Sequence, residues 1–190
     1  MNGTLKLTIA VVLVGAAVAA GVLSTRGSAS QAGAKLSNRG GPAIAIRGVR
    51  MKSAPVRTGH VLAVRYGRAL YRLNIVGGGA CFGAGPASDI GSPGSVTCPR
   101  GGFPRTGGEP VLDFSVYEGT RHDVRELSLY RVEGFAADGV AAVDFLRPNG
   151  DIALHVPVSG NVYSAASVPS GPIAGMAAVD KDGKRLWHSP

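Results

Sequence analysis

Beyond residue 57 the chain is a succession of short apolar-rich segments separated by turn signals, a pattern that is typical of β-structure. Residues 111–117 show a period of two most clearly, with Leu112, Phe114 and Val116 on one side. The opposite side is mixed in character and consists of Val111, Asp113, Ser115 and Tyr117. This alternation predicts a half-buried strand in which Asp113 and Ser115 lie on an exposed face.

Other short apolar-rich segments predict further strands at residues 60–65, 69–76, 127–135, 140–146, 152–158, 161–165, 173–179 and 184–187. Tight turns are expected where Gly or Asn can take a positive φ, at Tyr66-Gly67-Arg68, Pro148-Asn149-Gly150 and Asp182-Gly183. Residues 77–109 are predicted as one long loop. With about eight strands and no helical pattern after residue 30, the sequence indicates an all-β fold, an antiparallel sandwich, with a small β-barrel as the alternative.

Residues 7–23 form an apolar run of 17 residues without a charged side chain, preceded by Lys6. A helix of that length reaches roughly 25 Å, close to the thickness of a bilayer core. It is slightly longer than the apolar stretch of about 7–15 residues in secretory signals. Residues 1–25 are therefore predicted as a hydrophobic N-terminal helix, and both a transmembrane anchor and a cleaved signal peptide stay open.

Charge is distributed unevenly along the chain. Residues 1–72 contain 11 Lys or Arg and no Asp or Glu, whereas residues 73–190 contain 9 basic and 12 acidic residues, which leaves a net charge of +8. Residues 26–56 are predicted as a flexible basic linker that could contact anionic lipids, and residues 57–190 as the β domain. Because the basic residues are spaced singly and lack interleaved aromatic residues, nucleic acid is disfavoured as a partner.

Cys81 and Cys98 are the two cysteines, and they lie in a segment rich in Gly, Pro and Ser. In an exported protein, such an even pair predicts one disulfide. We therefore expect the body of the protein to be extracytoplasmic, either on a single-pass anchor in the cell membrane or secreted. No metal site is predicted, because the four histidines, His60, His122, His155 and His188, are scattered singly.

Catalytic and cofactor signatures are weak. The glycine cluster at residues 77–85 lacks the spacing of a dinucleotide fingerprint and is not followed by a helical pattern. A Gly-x-Ser-x-Gly motif is absent. Ser115, His122 and Asp113 could be combined into a triad, but an exposed strand face also explains why Ser115 and Asp113 are polar. Asp180-Lys181-Asp182-Gly183 fits a hairpin turn better than a calcium loop. We therefore predict no catalytic, cofactor-binding or metal-binding residue.

Carboxylate pairs and aromatic residues leave two alternatives open. Acids suited to sugar hydrolysis could come from Asp113, Glu118, Asp123, Glu126 and Glu133, although a solvated polar face also explains them. The tyrosines and the tryptophan are spread over several strands, at Tyr66, Tyr71, Tyr117, Tyr130, Tyr163 and Trp187. If several of them share one face, they would form a surface for a glycan or a peptide.

Several short segments resemble a group of uncharacterised exported or membrane-anchored bacterial proteins: Gly67-Arg68, Leu70-Tyr71-Arg72-Leu73, Cys81-Phe82, Cys98-Pro99, Phe103-Pro104, Pro110-Val111-Leu112-Asp113-Phe114, Gly134-Phe135-Ala136-Ala137-Asp138-Gly139-Val140 and Asn161-Val162-Tyr163. The resemblance covers most of residues 60–190. It implies export and a β-rich, immunoglobulin-like extracytoplasmic domain, and it assigns no activity.

Taken together, these features favour a non-catalytic binding or interaction module outside the cytoplasm. Its ligand would be a protein or a glycan. The alternative is a cell-envelope hydrolase with carboxylates on loops.

Overall fold

The computed structural model describes residues 35–49, 56–118 and 128–189. The predicted N-terminal hydrophobic helix, residues 1–25, lies outside these ranges. Within them, no helix is both long enough and apolar enough to cross a membrane.

Strands dominate the described part of the chain and form two antiparallel sheets. The small sheet has the order β1-β2-β3-β4-β5 and consists of β1 (Ile44–Ala45), β2 (Val56–Arg65), β3 (Arg68–Ile75), β4 (Ala80–Pro86) and β5 (Ser95–Thr97). A single 3-10 turn, Ala87–Asp89, follows β4.

The large sheet contains the other eight strands: β6 (Val111–Asp113), β7 (Val116–Glu118), β8 (Ser128–Ala136), β9 (Ala142–Leu146), β10 (Ile152–Ser159), β11 (Val162–Ala165), β12 (Gly175–Val179) and β13 (Arg185–His188). Their order is β13-β12-β9-β10-β11-β8-β6, and β7 also pairs with β8. The predicted all-β class is confirmed, with more and shorter strands than expected.

The two sheets pack face to face through a small aromatic core. Leu70 and Phe82 of the small sheet meet Phe135 and Val162 of the large one, and all four side chains are fully buried. The rings of Phe82 and Phe135 lie 5.0 Å apart at a tilt of 56°, within the range that aromatic pairs prefer. This contact makes the fold a sandwich, as predicted.

Each sheet also buries its other face. Beneath the large sheet lies a second core that includes Val132, Val143, Phe145 and Tyr163. As a result β8 is buried on both faces along Val132–Ala136. The segment 111–117 is at least partly buried on both sides, because Val111 packs into this second core and the half-buried Leu112 packs against the core between the sheets. The prediction of one half-buried strand with Asp113 and Ser115 on an exposed face is wrong, because the segment forms two strands, β6 and β7, interrupted at Phe114 and Ser115, and both polar residues are partly buried.

Residues 77–109 are not one loop, since they contain β4 and β5. Their high Gly and Ala content is typical of a loop, but β4 requires small residues for a steric reason. A Cβ on Gly83 would lie 2.9 Å from the Ser95 carbonyl oxygen, and one on Gly85 would lie 2.8 Å from that of Ser92. The returning chain crosses β4 so closely that larger side chains would clash with it.

The predicted flexible linker, residues 26–56, is described at 35–49 and at Val56. Val56 is the first residue of β2, and residues 35–49 are docked on the β domain. Ser37 donates hydrogen bonds from its backbone nitrogen (3.0 Å) and its hydroxyl (2.6 Å) to Asp138. Asn38 donates from its backbone nitrogen to the Asn161 side chain at 2.8 Å. Although desolvation acts in the opposite direction, the hydrogen bonds from Ser37 and Asn161 lower the pKa of the Asp138 carboxyl.

Candidate functional site

The predicted disulfide between Cys81 and Cys98 is present. It continues the pairing of β4 with β5, in which Phe82 lies opposite Thr97. Closure of a loop with a sequence separation of 17 contributes about 3 kcal/mol on the chain-entropy model. The bond therefore holds the edge strand β5 on the small sheet.

Asp113 is the centre of a half-buried hydrogen-bond cluster, not part of an exposed face as predicted. Its Oδ1 accepts from the hydroxyl of Ser115 at 2.6 Å and from the hydroxyl of Tyr163 at 2.7 Å. Its Oδ2 accepts from the Tyr117 hydroxyl at 3.2 Å. With three hydroxyl donors around one carboxylate, the cluster satisfies a polar group that would otherwise be costly to bury.

Burial raises the pKa of Tyr117 and of Tyr163 far above the ordinary value of 10.0, and the charge of Asp113 raises both further. Both hydroxyls are therefore held in the protonated form as hydrogen-bond donors. A tyrosine of this kind is a poor general base or nucleophile near neutral pH. The cluster is accordingly structural.

A glycine makes this cluster accessible to Tyr163. The residues Tyr163, Gly134 and Asp113 lie in one row across β11, β8 and β6. A Cβ on Gly134 would overlap the ring and the hydroxyl of Tyr163. The missing side chain thus lets the tyrosine cross the middle strand and reach Asp113 on the far side.

On the face of β8 that looks toward the small sheet, Glu133 is 1% exposed and ion-paired. Arg68 at the start of β3 donates to it from Nε (3.1 Å) and from Nη2 (3.0 Å). Arg131 Nε also lies 3.0 Å from Glu133 Oε1, but its N–H is not aligned with that oxygen. The buried carboxylate therefore orients two guanidinium groups at the junction of the sheets.

These arginines line a shallow cleft of about 240 Å³ where the β2–β3 hairpin meets β8 and β11. We call it the arginine–tyrosine cleft, and its polar lining consists of Arg65, Tyr66, Arg68, Tyr130, Arg131, Glu133, Ser164 and Ser167. Val168 and the alanines beside it supply an apolar part of the wall. A concave surface with a few converging polar groups is the usual form of a ligand site.

Tyr130 reaches the cleft because β8 carries a bulge. Val116 of β7 pairs with Arg131 and the next residue, Tyr117, pairs with Leu129, so Tyr130 is the extra residue. Leu129 and Val132, three residues apart, consequently both face the core of the large sheet. Bulges redirect side chains in this way, and here Tyr130 is turned outward with 61% of its surface exposed.

Tyr66 enters the cleft from the tip of the β2–β3 hairpin. The predicted hairpin is confirmed, with Arg65 paired to Arg68 and a turn of two residues, Tyr66 and Gly67. Their φ angles of 48° and 72° are those of a type I′ turn, in which Asn-Gly is the favoured pair. A tyrosine in this conformation costs about 1 kcal/mol, and its side chain is 63% exposed, so no core packing offsets that cost.

The structure brings some of the other candidate residues together and separates others. Asp113 and Ser115 of the triad lie together, but His122 falls outside the described residues, as do the acids Asp123 and Glu126. Of the aromatic set, Tyr71 and Tyr163 are buried in two different cores, whereas Tyr66 and Tyr130 share the cleft.

The described histidines lie apart from the cleft. His155 contacts Asp144 at 2.6 Å on the large sheet, and His60 contacts the Gly41 carbonyl oxygen at 2.8 Å. No group of three His, Cys, Asp or Glu side chains in the described ranges is arranged to hold a metal ion. Asp180 accepts backbone hydrogen bonds from Asp182 and Lys184, so this segment forms the hairpin turn between β12 and β13.

Trp187 lines a second depression of about 460 Å³, formed largely by the irregular chain between β5 and β6. Arg100, Arg105 and Glu109 also border it. It is wider and more open than the arginine–tyrosine cleft, and no buried ion pair fixes its charged side chains in the described part of the chain.

Sequence reasoning missed Arg65, Arg68 and Arg131 as site residues, and it weighed Glu133 only as one of many acids. Two signals were available. The first is Glu133, because a glutamate in an apolar strand needs a cationic partner if that strand lies in the middle of a sheet. The second is Tyr66, because it precedes the turn glycine at a position that favours Asn.

Comparisons of the chain with protein-family models, with characterised proteins and with solved structures found no match. The resemblance to exported bacterial proteins therefore stays a prediction.

Proposed function

We propose that this chain is a binding module that works outside the cytoplasm, either tethered or released, and that it holds its ligand in the arginine–tyrosine cleft. The observation that carries the proposal is the convergence of three arginines and two exposed tyrosines on one concave surface. Tyr and Arg are the residue types most enriched at binding hot spots.

Two features show how the fold supports such a site. The Glu133 ion pair fixes Arg68 on the rigid sheets, and the bulge and the hairpin turn bring Tyr130 and Tyr66 to the cleft from different strands. Preorganised side chains of this kind reduce the entropy that a ligand must overcome on binding.

The proposed compartment rests on the N-terminal apolar run and on the disulfide. Bonds such as Cys81–Cys98 persist in oxidising environments and are rare in the cytosol.

The hydrolase alternative gains less support. Glu133 is the single carboxylate that lines the cleft among the described residues, and it is already paired with Arg68. Glycoside hydrolysis usually needs a second carboxylate within about 10 Å in the same cleft.

Glycan and peptide arrays probed with the full-length chain in mild detergent test the proposal. We expect a set of ligands that the wild-type chain retains and that the variant Tyr130→Ala loses. The matched control is Tyr117→Phe, which keeps its ring inside the protein and should retain the same ligands. Absence of any retained ligand, or retention that survives Tyr130→Ala unchanged, would refute a binding role for the cleft.

A further inference from the structure

The arginine–tyrosine cleft carries more positive charge than its own residues neutralise. Among the described residues that line it, three guanidinium groups, those of Arg65, Arg68 and Arg131, accompany one carboxylate, that of Glu133. Arg65 is held in place by a 3.1 Å hydrogen bond from Nη2 to the Ser159 carbonyl oxygen, which carries no net charge. The excess of two positive charges selects for an anionic ligand.

The hydrogen-bond donors that remain are suited to a planar oxyanion. Arg68 uses Nε and Nη2 for Glu133, so its Nη1 is left without a hydrogen bond among the described residues. Both terminal nitrogens of Arg131 are likewise unused within that part of the chain, since its Glu133 contact is through Nε. The geometry of a guanidinium group matches a carboxylate, which can accept two such donors together.

The rest of the cleft is suited to a ring that carries hydroxyl groups. Tyr66 and Tyr130 offer exposed, amphipathic faces on its walls. The hydroxyl oxygen of Ser164 is buried beside Glu133 and has no hydrogen-bond partner in the described ranges. Because that oxygen is closed to solvent, the hydroxyls that a sugar can reach are the exposed ones on the lining, those of Tyr66, Tyr130 and Ser167.

A peptide fits this cleft less well than a sugar does. Peptides often bind by adding a strand to a free sheet edge. The strands β3, β8 and β11, which form much of the wall, each have a neighbour on both sides. A peptide would therefore have to be recognised through its side chains alone.

Resting on the function proposed above, we infer that the arginine–tyrosine cleft binds an acidic glycan. A uronic-acid carboxylate lies on the free donors of Arg68 and Arg131, and the sugar rings lie against Tyr66 and Tyr130. Screening by salt should weaken such binding, because part of the affinity is electrostatic and the cleft is open to solvent.

Calorimetric titration of the full-length chain in mild detergent with a galacturonic acid trisaccharide tests this inference. The methyl ester of the same trisaccharide keeps every ring and hydroxyl but removes the charge, and we expect at least tenfold weaker binding for it. An acidic peptide, Glu-Tyr-Glu with blocked ends, and inorganic phosphate form the other arms. Equal binding of the ester, or stronger binding of the peptide or of phosphate, would overturn the assignment to an acidic glycan.

Tyr66→Asn separates recognition from folding. Asn-Gly is the favoured pair for this turn, so the variant should melt no lower than the wild type. It should nevertheless bind the trisaccharide at least tenfold more weakly. Unchanged affinity in this variant would contradict the placement of the ligand.

Different results would refute the binding function and the assignment of an acidic glycan as its ligand. If the arrays yield a neutral ligand that Tyr130→Ala abolishes, the binding function stands and the acidic glycan is wrong. If no array ligand and no trisaccharide bind through the cleft, both are wrong.

Discussion

At the scale of single residues, the molecule is organised around two carboxylates that the sequence pattern treats as ordinary surface groups. Asp113 accepts hydrogen bonds from the hydroxyls of Ser115, Tyr117 and Tyr163, and Glu133 lies within ion-pair distance of the guanidinium groups of Arg68 and Arg131. The two are linked, since the Ser115 hydroxyl also accepts from the Glu133 backbone nitrogen at 3.3 Å. One polar network therefore runs from the interior of the large sheet to the cleft.

The tyrosines of this network predict a loss of stability in alkali. Their pKa values are raised on folding, so their contribution is complete below the ordinary tyrosine pKa near 10 and declines as the pH rises toward the raised values. We expect the free energy of unfolding to fall by up to about 3 kcal/mol per pH unit in that window, if both Tyr117 and Tyr163 contribute.

Urea unfolding at a series of alkaline pH values measures this slope. Tyr163→Phe should make it shallower, because the variant lacks the buried hydroxyl whose pKa folding raises. An equal slope in the wild type and in Tyr163→Phe would show that the buried hydroxyl is not the group responsible.

At the scale of strands, local sequence determines the hairpins, whereas close packing determines the rest. The β2–β3 and β12–β13 hairpins are predictable because turn residues and alternation lie within about ten residues of each other. The strands β4 and β5 are not predictable in this way, because Gly83 and Gly85 are typical of loops in a sequence. Their role is clear only in the structure, where the chain around Pro93 lies directly across both glycines.

Gly134 shows the same effect on the large sheet and gives a direct test. Gly134→Ala would drive a methyl group into the Tyr163 ring and displace its hydroxyl from Asp113. Overpacking together with the lost hydrogen bond should destabilise the protein by about 3 kcal/mol.

Chemical denaturation of purified protein measures this change. The matched control is Gly41→Ala, because a Cβ on Gly41 meets nothing within 4 Å and its φ is ordinary. The control should stay within about 0.5 kcal/mol of the wild type. Equal stabilities of the two variants would mean that Tyr163 does not cross β8 over the glycine.

The candidate site could not have been assembled from sequence. Arg68 and Glu133 are separated by 65 residues, and Arg131 and Glu133 become neighbours of Arg68 only when the hairpin of one sheet packs on the other. Composition did indicate the sign of the charge, since Arg65 and Arg68 belong to the acid-free stretch 1–72. Composition could not indicate that Tyr66 and Tyr130 would line the same cleft as these arginines.

At the scale of the whole molecule, the β domain begins earlier than the charge and turn patterns suggest. Residues 35–49 contact both sheets: Asn38 donates to the Leu62 carbonyl oxygen of β2 at 3.2 Å in the small sheet and to the Asn161 side chain at 2.8 Å, in the turn between β10 and β11 of the large one. In addition, β1 pairs with β2. Residues 35–49 therefore belong to the β domain, which the sequence pattern starts at residue 57.

The central claim is that the β domain operates outside the reducing cytosol with its disulfide closed. The most direct measurement is fractionation of cells that express the full-length chain with a C-terminal tag, followed by intact-mass determination without reductant. We predict that the protein lies in the membrane or the exported fraction and that its mass is that of the oxidised chain, without the thiol hydrogens of Cys81 and Cys98. Recovery from the cytosol with both thiols free would contradict the account.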